Sequence, residues 1–313
     1  MERVSQTLLD KPEEFGRVGL VVGGDSAERD VSLAGGESVA ASLRRSGIAH
    51  EIYDGPLALF EGIRAGRVDR VFNLLHGPGG EDGSLQGALM LMGVPVTGSD
   101  LASSALTMDK VRSKWVWECN GLETPPFKAI GPGPVDETRV IEDLGLPLFV
   151  KPTGLGSSIG ISKVKSAGDL TEAIALARTY GDTVIIESEI RGGEYFAGII
   201  GRTALPLIRI QTSREFYDYE AKYHSNDTIY SCPCGLDAEL EARLQQASLL
   251  AFDLLGASGW GRVDFLLDDS GKPWFLEVNT TPGMTDHSLV PQAAEQMGIG
   301  FDELIWRILE TSL

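Results

Sequence analysis

The 313-residue chain is 42% hydrophobic and 23% charged, a balance that suits globular units and excludes collagen-like, coiled-coil and low-complexity classes. Its formal net charge of -18 opposes nonspecific binding to nucleic acid or anionic membrane, so a polyanionic ligand must be held by local cations. The three cysteines, Cys119, Cys232 and Cys234, form no disulfide framework and fit a reduced, cytoplasmic setting.

Residues 1–16 lack the apolar core of a signal peptide or membrane span and are expected to be a flexible tail. Arg17 to Val22 reads as a strand ending in Gly23-Gly24, followed by a helical pattern from Val31 to Arg45 that Gly47 closes. Val68 to Leu75 is the next strand. It ends at His76-Gly77, before a Gly-rich loop and a helix from about Ser84 to Met92. Strands alternating with helices imply a Rossmann-like parallel sheet, with ligands beyond the carboxyl ends of its strands, where Glu28 and His76 fall. Gly23-Gly24 lacks the Gly-x-Gly-x-x-Gly spacing of a dinucleotide site. His76 either caps and packs or belongs to a site, and the neighbouring Gly77, Gly79 and Gly80 favour the site.

Met108-Asp-Lys-Val-Arg-Ser-Lys-Trp opens a helix that runs to about Asn120-Gly121, and a domain boundary is placed before it. Lys110 occupies its first turn, where the helix dipole disfavours a cation unless an anion is near. It is either a surface lysine or a phosphate ligand. Leu146 to Lys151 and Ile159 to Val164 read as strands joined by Pro-Thr-Gly-Leu-Gly-Ser-Ser-Ile-Gly. Glycine N–H groups and the hydroxyls of Ser157 and Ser158 suit phosphate oxygens, so the pair is preferred as a clamp over a nucleotide to an ordinary glycine hairpin. No Gly-Lys-[Ser/Thr] ends the loop, which excludes a P-loop.

A helix from Asp169 to Tyr180 precedes the strand Thr183 to Glu187. Glu187 and Glu194 sit at strand ends, where a carboxylate can accept from an adenine amine or a ribose hydroxyl, or face water. The second boundary is placed at Gly192-Gly193. The polar, Tyr-rich stretch 212–234, with Lys222 and Tyr223, has no periodicity and is expected to be a lid loop. Asp237 to Leu255 and Phe301 to Leu309 are amphipathic helices.

Between them, Arg262 to Leu267 and Trp274 to Asn279 read as a hairpin with a short Ser270-Gly271 loop. With that loop Asp264 lies opposite Glu277 and Arg262 opposite Asn279, because side chains alternate along a strand. Facing carboxylates repel unless a cation offsets them, and an all-oxygen donor set suits Mg2+.

Taken together these segments resemble the ATP-grasp carboxylate-amine ligases, and more closely the D-alanine-D-alanine ligases, from about Gly16 to the C-terminus. The carriers are Gly23-Gly-Asp-Ser-Ala-Glu28, Leu75-His-Gly-Pro-Gly-Gly-Glu-Asp-Gly, Met108-Asp-Lys, Val150-Lys-Pro with Gly-Ser-Ser-Ile-Gly, Tyr217-Asp-Tyr-Glu-Ala-Lys-Tyr, Gly261-Arg-Val-Asp and Glu277-Val-Asn-Thr-Thr-Pro-Gly-Met-Thr. The resemblance implies an α/β and α+β chain: an N-terminal substrate-binding domain over 17–107, a central ATP-grasp subdomain over 108–191 and a C-terminal catalytic domain over 192–313. It implies ATP-dependent joining of two D-alanines through an acyl phosphate for peptidoglycan, with joining of D-alanine to another D-amino or D-hydroxy acid as the alternative.

Carried over by resemblance, Asp264, Glu277 and Asn279 hold two Mg2+ ions, with Mn2+ as a substitute. Lys110, Lys151 and Lys222 hold phosphates, Glu187 and Glu194 hold the adenosine, and Ser158 and Ile190 complete the ATP site. Arg262 and the Gly283 N–H face the oxyanion, while Glu28, helped by His76, holds the first substrate's ammonium. Ser288 and Leu289 bind the second substrate's carboxylate, and Ser157 and Tyr223 join Glu28 in a set that closes the lid. Tyr223 is similar to the dipeptide-forming members. Ser188 departs from the lysine of many members, which puts ATP affinity in doubt. A cytoplasmic homodimer, independent of nucleic acid and membrane, is implied.

Overall fold

The computed structural model describes residues 7–156, 158–212, 228–285 and 288–313. Ser157, Lys222, Tyr223 and most of the expected lid therefore lie outside the described residues.

The N-terminal unit is built on β1 (Val18–Val22), α1 (Arg29–Arg45), β2 (His50–Asp54), α2 (Gly55–Arg64), β3 (Arg70–Asn73) and α3 (Ser84–Met92). The strands pair in parallel in the order β2-β1-β3. β1 is buried along its whole length because both faces are covered. Val18, Leu20 and Val22 enter one core cluster, whereas Val21 enters another with Leu59, Val71 and Leu85. Residues 12–16 correct the expected tail: Pro12–Phe15 forms a 3-10 turn, and Phe15 is fully buried with its ring 4.9 Å from that of Trp306. The N–H groups of Leu8 and Leu9 donate to Glu310 at 2.6 and 2.9 Å.

Two helices follow, α4 (Leu101–Met108) and α5 (Lys110–Cys119), where the sequence suggested one. They break at Asp109, whose extended backbone and side chain cap α5 by accepting from the Arg112 N–H. α5 buries Lys110, Val111, Ser113, Lys114 and Trp117. Trp117 belongs to the core beneath the C-terminal sheet.

β4 (Phe127–Ile130), α6 (Glu137–Leu144), β5 (Leu148–Pro152), β6 (Ser162–Val164), α7 (Leu170–Arg178) and β7 (Val184–Ser188) form a second layer pair. Its antiparallel sheet runs β4-β7-β5-β6 over a separate core that includes Val140, Val150, Ile174 and Ile186.

The third sheet contains, among the described residues, β8 (Gly192–Ile200), β9 (Thr203–Ala204), β10 (Ile208–Gln211), β11 (Ile229–Ser231), β12 (Trp260–Asp268) and β13 (Pro273–Asn279). Its path is β11-β10-β8-β12-β13, antiparallel throughout, with β9 paired to β8. The strand Ile229–Ser231 falls inside the stretch expected to be entirely loop. Helix α8 (Ala238–Leu254) covers one face; α9 (Leu289–Gln296) and α10 (Phe301–Glu310) share the core of the N-terminal sheet on the other.

The β12-β13 hairpin reaches the expected pairing by a different route. Its loop holds Asp269, Ser270 and Gly271, because the Asp268 N–H donates to the Lys272 carbonyl and the Gly271 N–H to Asp268, with Gly271 at φ +77°. That extra residue shifts Leu267 opposite Pro273 and Phe265 opposite Phe275. The register then slips back at Asp264/Phe265, leaving Leu276 unpaired. Asp264 thereby faces Glu277, and Arg262 faces Asn279.

Candidate active site

The second and third sheets enclose a cleft of about 540 Å³, lined by Lys110, Lys151, Ser158, Glu187, Ile190, Glu194, Asp264 and Glu277 among others. Phe149, Ile161, Leu266 and Leu276 supply apolar walls. Most residues expected at the ATP and metal sites are thus brought together.

Lys110 Nζ lies 2.9 Å from Glu277 Oε2 and donates to the Leu155 carbonyl at 2.7 Å. Burial opposes its charge, but Glu277, Glu187 and Glu28 outweigh that effect and raise its pKa. The first-turn lysine is therefore buried in the cleft and not a surface residue. Lys151 reaches Glu187 at 2.5 Å, and Lys114 approaches the other oxygen of Glu187 at 2.9 Å. Burial alone would raise the Glu187 pKa, yet the two ammoniums hold it down at about 2. Lys114 is fully buried, and its own pKa is lowered by burial and by Lys151.

Sequence reasoning missed Lys114. The available signal was its place one turn beyond Lys110 on the face that also carries Trp117. Ser188 lines the cleft, but its hydroxyl is turned away and donates to the Leu144 carbonyl at 2.8 Å.

Arg262 grips Asp264 with two hydrogen bonds of 2.7 Å, its guanidinium 4.7 Å from the Phe196 ring centroid. Asn279 lies on the same strand face but off the cleft lining, and its Oδ1 accepts the Thr281 N–H at 3.1 Å. Among the described residues no cluster of three or more His, Cys, Asp or Glu side chains arranged for a metal occurs. Two carboxylates and an amide nevertheless fit a hard cation that keeps waters and shares its shell with phosphates.

Beyond Arg262 the site continues to the N-terminal sheet. Glu28 precedes α1, and a Cβ on Gly156 or Gly77 would come 3.3 or 3.4 Å from its Oε2, so both loops approach it closely where glycine permits. His76 is buried, bonded to the Thr281 backbone, with Nε2 lacking a partner among the described residues. Burial lowers its pKa despite the Glu28 charge, which keeps the ring neutral. Glu81, also missed, lies against the same loop, pushed up to about 8 by burial and by Glu28.

The Gly283 N–H has no acceptor among the described residues. Ser288 precedes α9 and its Oγ accepts from the Thr285 N–H at 2.9 Å, with the buried Leu289 opening the helix.

Two antiparallel sheets closing on lysines and facing carboxylates define an ATP-grasp ligase. Residues 54–99 match the family model described as D-ala D-ala ligase N-terminus, and residues 116–310 match D-ala D-ala ligase C-terminus. The chain belongs to the D-alanine-D-alanine ligase family.

It is 50% identical over 304 residues to the D-alanine–D-alanine ligase of Methylococcus capsulatus, covering 97% of this chain and 98% of that one. A second relative, D-alanine–D-alanine ligase B of Chromobacterium violaceum, is 46% identical over 96% of this chain and 98% of its own. Among solved structures, the Bacillus anthracis D-alanine–D-alanine ligase complexed with ATP aligns with TM-score 0.82 and 34% identity, covering 95% of this chain and 97% of that one.

Proposed function

We infer that this chain, as a D-alanine-D-alanine ligase, makes D-alanyl-D-alanine for peptidoglycan at the expense of ATP, and that it does so through an acyl phosphate. The carboxylate of one D-alanine attacks the γ-phosphorus of ATP; the bond from γ-phosphorus to the bridging oxygen breaks and ADP leaves. The deprotonated amine of the second D-alanine then attacks the acyl carbon, and the carbon–oxygen bond to phosphate breaks.

The observation that carries this reading is the pairing within the cleft, Lys110 with Glu277 and Lys151 with Glu187. Cations poised for phosphate are neutralised by Glu277 at 2.9 Å and by Glu187 at 2.5 Å until MgATP enters. Asp264, Glu277 and Asn279 would hold two Mg2+ ions, or Mn2+, which when bound neutralise charge on the phosphates. Lys110, Lys151 and Lys222 hold phosphates; Ser158, Glu187, Ile190 and Glu194 hold the rest of ATP.

Arg262 and the Gly283 N–H stabilise the oxyanion, and that N–H has no acceptor among the described residues, which supports the assignment. Glu28 takes the first ammonium. The neutral His76 ring has Nε2 without a partner among the described residues, which suits acceptance from the same group. Ser288 and Leu289 take the second carboxylate, and Ser157 and Tyr223 close the lid with Glu28.

The division at 107 and 191, a homodimer and a cytoplasmic location complete the reading. No described helix is long and apolar enough to cross a membrane. D-alanine labelled with ¹⁸O in its carboxylate tests the chemistry: label appears in the released phosphate if the acyl phosphate forms, and phosphate free of label excludes it.

A further inference from the structure

We propose that Glu81 is a positioning residue that fixes the loop of His76 against the loop of Gly283. Both of its carboxyl oxygens accept backbone N–H groups, one from each loop. Oε2 takes Gly77 N–H at 2.6 Å, and Oε1 takes Thr281 N–H at 3.3 Å. His76 also bonds the Thr281 backbone, so residues 76 and 81 both hold the backbone of Thr281. Asn73 adds a contact of 3.5 Å to the Thr281 hydroxyl. The joined loops come from different sheets: one follows β3 and carries His76; the other follows β13 and carries Gly283 two residues beyond Thr281.

Glu81 is 8% exposed, and the loop around it leaves little slack. The Gly80 carbonyl accepts from Asn73 Nδ2 at 3.0 Å and from Gln86 Nε2 at 2.8 Å. An amide in place of the carboxyl has one acceptor oxygen, and its NH2 would face an N–H donor. Glu81→Gln therefore breaks one arm of the clasp while keeping size and shape. Gln86→Ala weakens the same loop without touching Thr281.

The proposal rests on the reading that His76 and Gly283 face the substrates. Steady-state kinetics on the full chain, varying D-alanine and ATP separately, test it alongside thermal denaturation. Glu81→Gln lowers kcat/KM for D-alanine by about 10- to 100-fold, as small misplacements of a site do, with KM for ATP within about twofold. Gln86→Ala lowers Tm but leaves kcat/KM for D-alanine within about threefold.

Wild-type kinetics in Glu81→Gln, or equal losses for ATP and D-alanine, overturn the proposal. His76→Ala separates the two layers. Loss in Glu81→Gln with none in His76→Ala upholds the positioning role of Glu81 and refutes the role of His76; loss in His76→Ala with none in Glu81→Gln refutes the proposal.

Discussion

The ATP cleft and the junction with the N-terminal sheet both bury ionisable groups, and they treat charge in opposite ways. In the cleft Lys114 and Lys151 flank Glu187 and hold its pKa at about 2, so the carboxylate stays ionised though fully buried. At the junction burial dominates: Glu81 is pushed up to about 8 and the pKa of His76 is lowered. The difference follows from partners. In the proposed reading, phosphates and metal call for fixed charges of both signs, whereas Glu28 and the Nε2 of His76, unpartnered among the described residues, would receive an ammonium.

The sharpest way to break this contrast is Glu277→Gln, which halves the facing carboxylates and frees Lys110 of a partner 2.9 Å away. Turnover falls about 10³-fold; near wild-type phosphate release would remove Glu277 from the metal site. Next, Lys114→Met leaves Glu187 buried with one ammonium instead of two. Loss of a buried partner costs about 3 kcal/mol, read from urea midpoints, and raises KM for ATP as Lys151 becomes the remaining counter-ion.

The pH dependence of stability separates the regions by sign. Glu187 has its pKa lowered from 4.5 to about 2, so its contribution is complete above 4.5 and is lost as pH falls through 2. Glu81 has its pKa raised from 4.5 to about 8, with Glu28 and Arg262 as the charges that face it; its contribution is complete below 4.5 and is lost as pH rises through 8. Relative to wild type, Glu187→Gln flattens the acid limb and Glu81→Gln flattens the decline toward pH 8. Parallel slopes in the two variants would erase the distinction. The smallest effect belongs to Ser188→Ala, which forfeits a hydrogen bond worth about 1 kcal/mol and leaves KM for ATP unchanged, because the hydroxyl points at Leu144.

How legible these regions were depended on periodicity. The hairpin carboxylates could be paired from alternation and an assumed two-residue loop, and the pairing survived a loop one residue longer because the slip beside Leu276 restores the register. β2 and α2 escaped notice: in His-Glu-Ile-Tyr-Asp only Tyr53 is buried, so this edge strand has no alternating pattern. β4 is a similar half-exposed edge.

Lys110 was legible through its motif, whereas Lys114 was not singled out in the sequence, and its burial against Glu187 is what marks it. Glu81 stood inside a motif quoted for its histidine and glycines. A loop has no period to show which acid turns inward, and only the approach of Thr281, 200 residues away in the chain, reveals it.

Phosphate release by the full chain against a panel of D-amino acids, with ATP and Mg2+ present or withheld, tests the central claim most directly. Release that requires all three components and is fastest with D-alanine is the predicted result. Release indifferent to D-alanine, or none from folded protein, would contradict the assignment of this cleft to D-alanine ligation.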